Sequence, residues 1–231
     1  MRLSLLLITV LVLFSPVLAL AQQQYQVFKS DKNEIFDLPY TASNHDKDNP
    51  LVYTFDSPKT ANWILAITNN QTYVPSNDSK TIVRIQEPAA SEKYIEIAMF
   101  GGESMTYWVA VNTPDQGYAR LYLSPAGQPG WSNENPISIS HDTAQGLTVT
   151  DGKRVVVDRL DLSGFAVGSI AVFGNDNNEK TSPNTTSGDI NFEIQYGSFS
   201  QSPLFLVPAA VMAGVGGLVI GLLMFKKRKP E

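Results

Sequence analysis

Lys93-Tyr94-Ile95-Glu96-Ile97-Ala98-Met99-Phe100 alternates about its centre, with Tyr94 and Glu96 on one side and Ile95 and Ile97 on the other. Successive side chains of an extended chain point to opposite faces, so the pattern predicts a strand with one face on a core. Gly101-Gly102-Glu103-Ser104 supplies turn residues, and Thr106-Tyr107-Trp108-Val109-Ala110-Val111 follows as a second extended run. The two runs form a predicted hairpin. Asp115-Gln116-Gly117 turns the chain again, into Tyr118–Leu123, and upstream Thr81–Glu87 alternates in the same way. Further candidate strands are Leu51–Phe55, Trp63–Thr68, Ile137–Ile139, Leu147–Thr150, Val155–Val157, Ser169–Phe173 and Ile190–Tyr196. No stretch between them sustains a helical period. Turn signals recur at the roughly 8–12-residue spacing of sandwich folds. The expected fold is all-β, a β-sandwich of jelly-roll-like type spanning residues 22–196, with Gly174–Gly188 as one long surface loop.

The ends of the 231-residue chain are of another kind. Met1–Ala21 carries a single charge, Arg2, ahead of the apolar run Leu3–Phe14. Ser15-Pro16 interrupts that run, and Ala19-Leu20-Ala21 places small residues where a signal peptidase reads them. Residues 1–21 are therefore expected to be a signal peptide cleaved after Ala21. Leu204–Phe225 has no charge and is long enough, at ~1.5 Å per helical residue, to cross a ~30 Å hydrocarbon core. Lys226-Lys227-Arg228-Lys229 follows at once and marks the cytoplasmic side. The expected order is signal peptide, ectodomain, a short stalk at residues 197–203, one transmembrane helix at 204–225 and a basic tail at 226–231. That is a single-pass type I protein of the cell membrane with its N-terminal domain outside. Within the span, Ala209, Ala213, Gly217 and Gly221 recur every fourth position. Small residues let helix backbones approach in lipid, so these four are candidates for helix pairing with a second copy or with a partner span.

Setting the ends aside changes the charge. Without Arg2 and the four tail bases, 12 of the 17 basic residues remain; without Glu231, 21 of the 22 acidic ones do. The middle is left with a net charge of about −9, which repels phosphate backbones and argues against nucleic acid as a partner. Cysteine is absent. Disulfide scaffolds, thiol enzymes and thiolate metal sites are thereby excluded.

Val155-Val156-Val157-Asp158-Arg159-Leu160-Asp161-Leu162-Ser163-Gly164, then Ile170-Ala171-Val172-Phe173, then Gly188-Asp189-Ile190-Asn191-Phe192-Glu193-Ile194 follow one another toward the end of the middle. This succession resembles the closing strands of galactose-binding-like jelly rolls, an architecture shared by many carbohydrate-binding modules. The resemblance covers about a quarter of the middle. It implies a jelly-roll sandwich with a carbohydrate ligand. The family's last strand often carries an Asp near a calcium site, and Asp189 is the residue here that could correspond.

Candidate functional residues are few. Trp63 and Trp108 lie in apolar runs and are expected in the core. Trp131 lies in Ala126-Gly127-Gln128-Pro129-Gly130-Trp131-Ser132, a loop without alternation, and is the candidate for contact with a ligand. Asp46 and Asp48 in one Asx-rich run, and Asp176 and Glu179 in another, are weak candidates for calcium, the one cofactor the chain offers oxygen ligands for. Asn70, Asn77 and Asn184 open three N-glycosylation sequons. The two histidines, His45 and His141, are each followed directly by Asp. Neighbours on a strand point apart, so neither pair is a ready catalytic dyad, and no nucleophile-elbow pattern accompanies them. The reading is a non-catalytic, membrane-anchored binding module for a surface glycan or an envelope protein. Alternatives are an accessory subunit of a membrane complex assembled through the span, and a membrane-tethered hydrolase.

Overall fold

The computed structural model describes residues 26–56, 61–76, 78–88, 92–101, 105–125, 130–152, 154–175 and 184–201. The signal peptide, the transmembrane span with Ala209, Ala213, Gly217 and Gly221, and the basic tail lie outside the described residues. No helix among the described residues is long and apolar enough to cross a membrane. The chain divides into a compact unit of Ser30–Ser198 and a second unit made of its two ends. Of the second unit, Phe28 and Phe199 are described, and their rings meet edge to face at 4.9 Å.

The described residues form fourteen strands and one short helical turn, Tyr40–Asn44. The strands are Gln26–Pro39 (β1), Leu51–Thr54 (β2), Trp63–Asn69 (β3), Thr72–Tyr73 (β4), Lys80–Gln86 (β5), Tyr94–Phe100 (β6) and Tyr107–Thr113 (β7). Then come Gly117–Leu123 (β8), Ile137–Asp142 (β9), Gly146–Thr150 (β10), Val155–Leu160 (β11), Ser169–Phe173 (β12), Thr185–Ser187 (β13) and Asp189–Gln201 (β14). The first sheet runs β1-β14-β3-β9-β10-β11 and the second β2-β12-β5-β6-β7-β8, while β4 and β13 make a two-stranded ribbon. The hairpin that opened the sequence reading is β6–β7, paired antiparallel from Tyr94 opposite Asn112 to Met99 opposite Tyr107. The next turn joins β7 to β8.

Both sheets are amphipathic, and their apolar faces share one core. Leu65 and Ile67 of β3, Ile139 of β9, Val149 of β10 and Phe192 of β14 pack in the same cluster as Val83 and Ile85 of β5, Ile97 of β6, Val109 of β7 and Val172 of β12. Each is at most 1% exposed. Burying such a side chain contributes ~1.5–3 kcal/mol, so this layer is what holds the sandwich together. Trp63 lies inside it as expected, its Nε1 donating to the Phe165 carbonyl at 2.9 Å.

The three closing strands do not pair with one another. β11 edges the first sheet, β12 sits in the second between β2 and β5, and β14 returns to the first between β1 and β3. The Leu162-Ser163-Gly164 turn between them places Ser163 and Gly164 in the left-handed region, at φ 49° and 79°. The Asp161 carboxylate braces that turn by accepting from Ser163 N at 2.8 Å. A glycine is also required at the end of the β9–β10 turn. Gly146 has φ +84°, and a Cβ there would lie 2.4 Å from the Leu160 carbonyl oxygen.

Three expectations about the ends of elements are corrected. β1 was not foreseen, because Gln26–Pro39 mixes polar and apolar residues without clean alternation; it is held as a strand by its place beside β14. The Gly174–Gly188 stretch is not a surface loop throughout. Its described end forms β13, and Thr185 is only 1% exposed. There Ser43 and Thr185 hydroxyls pair at 2.8 Å, Gln71 Nε2 donates to Ser43 Oγ at 3.1 Å, and Thr81 Oγ1 donates to Gln71 Oε1. Tyr73 OH donates to Thr81 Oγ1 at 2.8 Å and Asn69 Nδ2 to Tyr73 OH at 2.6 Å. Burial pushes the Tyr73 phenol up to about 12. This satisfied polar chain fastens ribbon, helical turn and both sheets at one end, which is why a polar sequence is ordered there. Finally, β14 continues to Gln201, through residues assigned to the stalk.

Candidate functional site

The outer face of the second sheet is built by strand register. Across it run Ala171 (β12), Arg84 (β5), Glu96 (β6), Ala110 (β7) and Arg120 (β8), each opposite the next. The row on one side is Ser169, Gln86, Tyr94, Asn112 and Tyr118. The row on the other is Phe173, Ile82, Ala98, Trp108 and Leu123. A charged pair therefore lies between two alanines, with aromatic rings above and below.

The pair is closely held. Arg84 Nε and Nη2 both donate to Glu96 Oε2, at 3.3 and 2.9 Å. The other carboxylate oxygen, Oε1, accepts from the Tyr118 hydroxyl at 3.0 Å. The guanidinium lies 4.2 Å from the Tyr94 ring centre and 4.9 Å from that of Phe173. Glu96 is 4% exposed although it faces away from the core. Its desolvation is offset by the ion pair and the phenol, which is the arrangement a buried carboxylate requires. Burial raises the Tyr118 phenol pKa, and the neighbouring Glu96 charge raises it further. Burial also raises Tyr94, with Arg84 opposing.

Beside the pair, Ile82, Ala98 and Phe173 are buried in a second, smaller apolar cluster, with Phe100 and Trp108 packed on it. Trp108 was expected in the core. The structure turns it outward, because Tyr107, Val109 and Val111 on the same strand take the inward positions. Its Nε1 is buried and makes no hydrogen bond of normal geometry, though it lies close enough to the Tyr118 phenol to lower that pKa slightly.

Trp131, the aromatic expected to meet a ligand, is placed otherwise. It is 5% exposed, its Nε1 donates to the Phe100 carbonyl at 3.0 Å, and its ring meets Tyr73 edge to face at 6.0 Å. A ring so enclosed offers no stacking face, and Trp131 closes the core instead. Trp131 thus lies in the core and Trp108 on the outward side of its strand. The signal for Trp108 was present in the alternation of β7; for Trp131 there was none, since loop sequence does not report what a loop folds onto.

The two calcium-candidate runs do approach each other. Asp46 forms an isolated parallel bridge with Asn175, and Lys47 N donates to the Asn175 carbonyl at 2.8 Å. Asp46 and Asp48 are exposed, while Asp176 and Glu179 lie outside the described residues. Among the described residues no group of three His, Asp or Glu could hold a metal ion. Asp189 is on β14 with its carboxylate near Asn191 Nδ2 at 3.2 Å. Asn70 is exposed between β3 and β4, its amide nitrogen on Asn191 Oδ1 at 2.5 Å. Asn184 is half-buried, and its amide nitrogen donates to the Ser43 carbonyl at 3.3 Å beside Gly174. Asn77 lies outside the described residues. His141 is 1% exposed, held by the Ala61 carbonyl and stacked on Trp63; His45 donates to the Asn49 carbonyl at 3.0 Å.

No family model and no curated protein matches the chain. Among solved structures it is similar to a native glycosidic hydrolase, at 11% identity over 74% of this chain and 80% of that one, with a TM-score of 0.45. It is also similar to the kappa-carrageenase of Pseudoalteromonas carrageenovora in complex with an oligotetrasaccharide of kappa-carrageenan (8% identity, 73% and 78% covered, TM-score 0.39). A third is the marine PL7 alginate lyase AlyA1 of Zobellia galactanivorans (13% identity, 78% and 82% covered, TM-score 0.33). Likeness at this level says nothing of activity, and the outer face must speak through its own residues.

Proposed function

We propose that the chain is a glycan-binding module that takes its ligand on the outer face of the second sheet, held at the cell surface by the apolar segment Leu204–Phe225. The observation that carries this reading is the Arg84–Glu96–Tyr118 cluster framed by Tyr94, Trp108 and Phe173. Ligand sites combine apolar, aromatic surface with a few fixed polar groups. Here Tyr94 and Trp108, both half-buried, present ring surface to the C–H faces of a sugar, and the ion pair supplies fixed donors and acceptors between them. Paired strands present these groups without ordering a loop first, which lowers the entropic cost of binding.

The chemistry favours binding over hydrolysis. Most glycosidases use two carboxylates that flank the scissile bond. On the described part of this face Glu96 is the one carboxylate, and both its oxygens are engaged. The test is a glycan array probed with the detergent-solubilised full-length chain, beside Tyr94→Ala and Trp108→Ala. Binding to a defined set of glycans, weakened about tenfold or more by either change (~1.4 kcal/mol), is expected. An array without binding, or variants that bind as the parent does, would overturn the reading.

A further inference from the structure

We infer that the glycan this face takes is anionic: a polysaccharide whose repeating units carry carboxylate or sulfate groups. The inference rests on the glycan-binding reading of the same face and narrows it.

The first ground is charge. The domain as a whole is acidic, yet among the described residues the strands of this face carry Arg84 and Arg120 against the one carboxylate of Glu96. That carboxylate is neutralised by Arg84 and capped by Tyr118. The outer face of the first sheet is the reverse, with Glu193 on β14 and Asp37 on β1 among amides and hydroxyls. A polyanion is repelled by most of this molecule and attracted here, so the field selects the face as well as the ligand.

The second ground is the set of donors still available. Arg84 uses Nε and Nη2 on one oxygen of Glu96, and among the described residues nothing accepts from its Nη1. The guanidinium cannot swing away, because Tyr94 and Phe173 enclose it. It is a pre-oriented donor for a carboxylate or sulfate oxygen, the geometry arginine recognises best. Arg120 projects from β8 beside Ala110, exposed and without a partner among the described residues.

The third ground is spacing. Arg84 and Arg120 lie in one row, three strand intervals apart. At ~4.8 Å per interval that is ~14 Å. One small anion cannot reach both. A chain lying across the strands, with an acidic group on recurring residues and its sugar rings against Tyr94 and Trp108, can.

The experiment compares binding of the detergent-solubilised full-length chain to polygalacturonate, dextran sulfate and neutral dextran at several salt concentrations. Expected is binding to at least one of the two polyanions, at least about tenfold above dextran and falling steeply as salt rises. Which polyanion binds tells carboxylate from sulfate. Arg120→Gln, an exposed position with no packing role, is expected to weaken that binding about fivefold and to flatten its salt dependence. Binding to dextran or to other neutral array glycans, without salt dependence, overturns the anionic inference and leaves the glycan reading standing. Polyanion binding untouched by Arg120→Gln also overturns it, because the charge would then be read elsewhere. Binding to no glycan of either kind removes both.

Discussion

The two sheets share one core but turn different faces to water. On the first, Glu193, Ala66, Ser138 and Thr150 stand in one row and Gln195, Ile64, Ser140 and Thr148 in the next. Apart from Glu193 and Ile64 these side chains are short or amide-bearing, and all are half-buried. On the second, the outward residues pack among themselves: Glu96, Ala98, Ala171, Ile82 and Phe173 are each 4% exposed or less. Alternation set the inward faces alike. It is the length and aromaticity of the outward residues that makes one face a solvated wall and the other a second packed layer. The second sheet thus carries a further packed layer outside the shared core, with an ion pair inside it.

Matched changes at equivalent places would break or sharpen that contrast. The largest effect is expected at the carboxylates. Glu96→Ala leaves Arg84 among rings without its counterion, and ~3 kcal/mol of stability should be lost. Glu193→Ala on the first sheet removes hydrogen bonds from Asn33 and Gln195 at a half-buried site and should cost under ~1 kcal/mol. Urea midpoints of the two variants read the difference directly. Equal losses would mean that the second face is no more packed than the first.

Alanines give the next test. Ala98 is wholly buried among Ile82, Phe173, Phe100 and Trp108. Ala98→Leu overfills that layer and should destabilise by ~1–3 kcal/mol. Ala66→Leu extends into solvent from the first sheet and should change stability by less than ~0.5 kcal/mol. Tolerance of leucine at Ala98 would show the second layer to be loose.

The two faces were unequally legible in the sequence. The inward positions of β3, β5, β6, β7, β9, β10 and β14 follow from alternation alone, because a buried face admits few residue types. The second-face site is also alternation, read on its other phase: Arg84 stands between Ile82 and Gln86, and Glu96 between Ile95 and Ile97. Which outward residues meet depends on register, which the sequence does not print, so the Arg84–Glu96–Tyr118 cluster was not foreseen. Trp131 and Thr185 were misplaced for a related reason. Both lie in polar, Gly-rich sequence whose burial is decided by what folds over it. β1 was invisible because its partner, β14, is about 160 residues away, and a strand held by pairing rather than by its own pattern leaves no local signal.

Proton linkage separates the sheets at opposite ends of the pH range. In the first, burial lowers the His141 pKa, helped by Lys93 and opposed by the Ala61 hydrogen bond. A depressed folded pKa means that the unfolded chain takes up the proton first. Stability should therefore be full above the ordinary histidine pKa of ~6.5 and fall as pH drops through and below it. In His141→Phe the fall just below that pH should be shallower. An unchanged slope would show that the ring is reached by water.

In the second sheet the sign is reversed. Burial and the Glu96 charge raise the Tyr118 pKa, so the folded state keeps a proton that the unfolded chain gives up near pH ~10. Stability contributed by this phenol is present below that pH and lost as pH rises past it. Tyr118→Phe removes the hydrogen bond to Glu96 from a half-exposed position, a loss of ~1 kcal/mol at neutral pH. It should also flatten the alkaline decline relative to the parent, because one linked proton is gone. Denaturant midpoints at neutral pH and above pH ~10 measure both parts. If the variant is weaker by the same amount at both, the phenol is only a packing group. If the gap closes with rising pH, the Tyr118 hydroxyl is bound to a charged Glu96 in solution, and the outer face is held together by that charge.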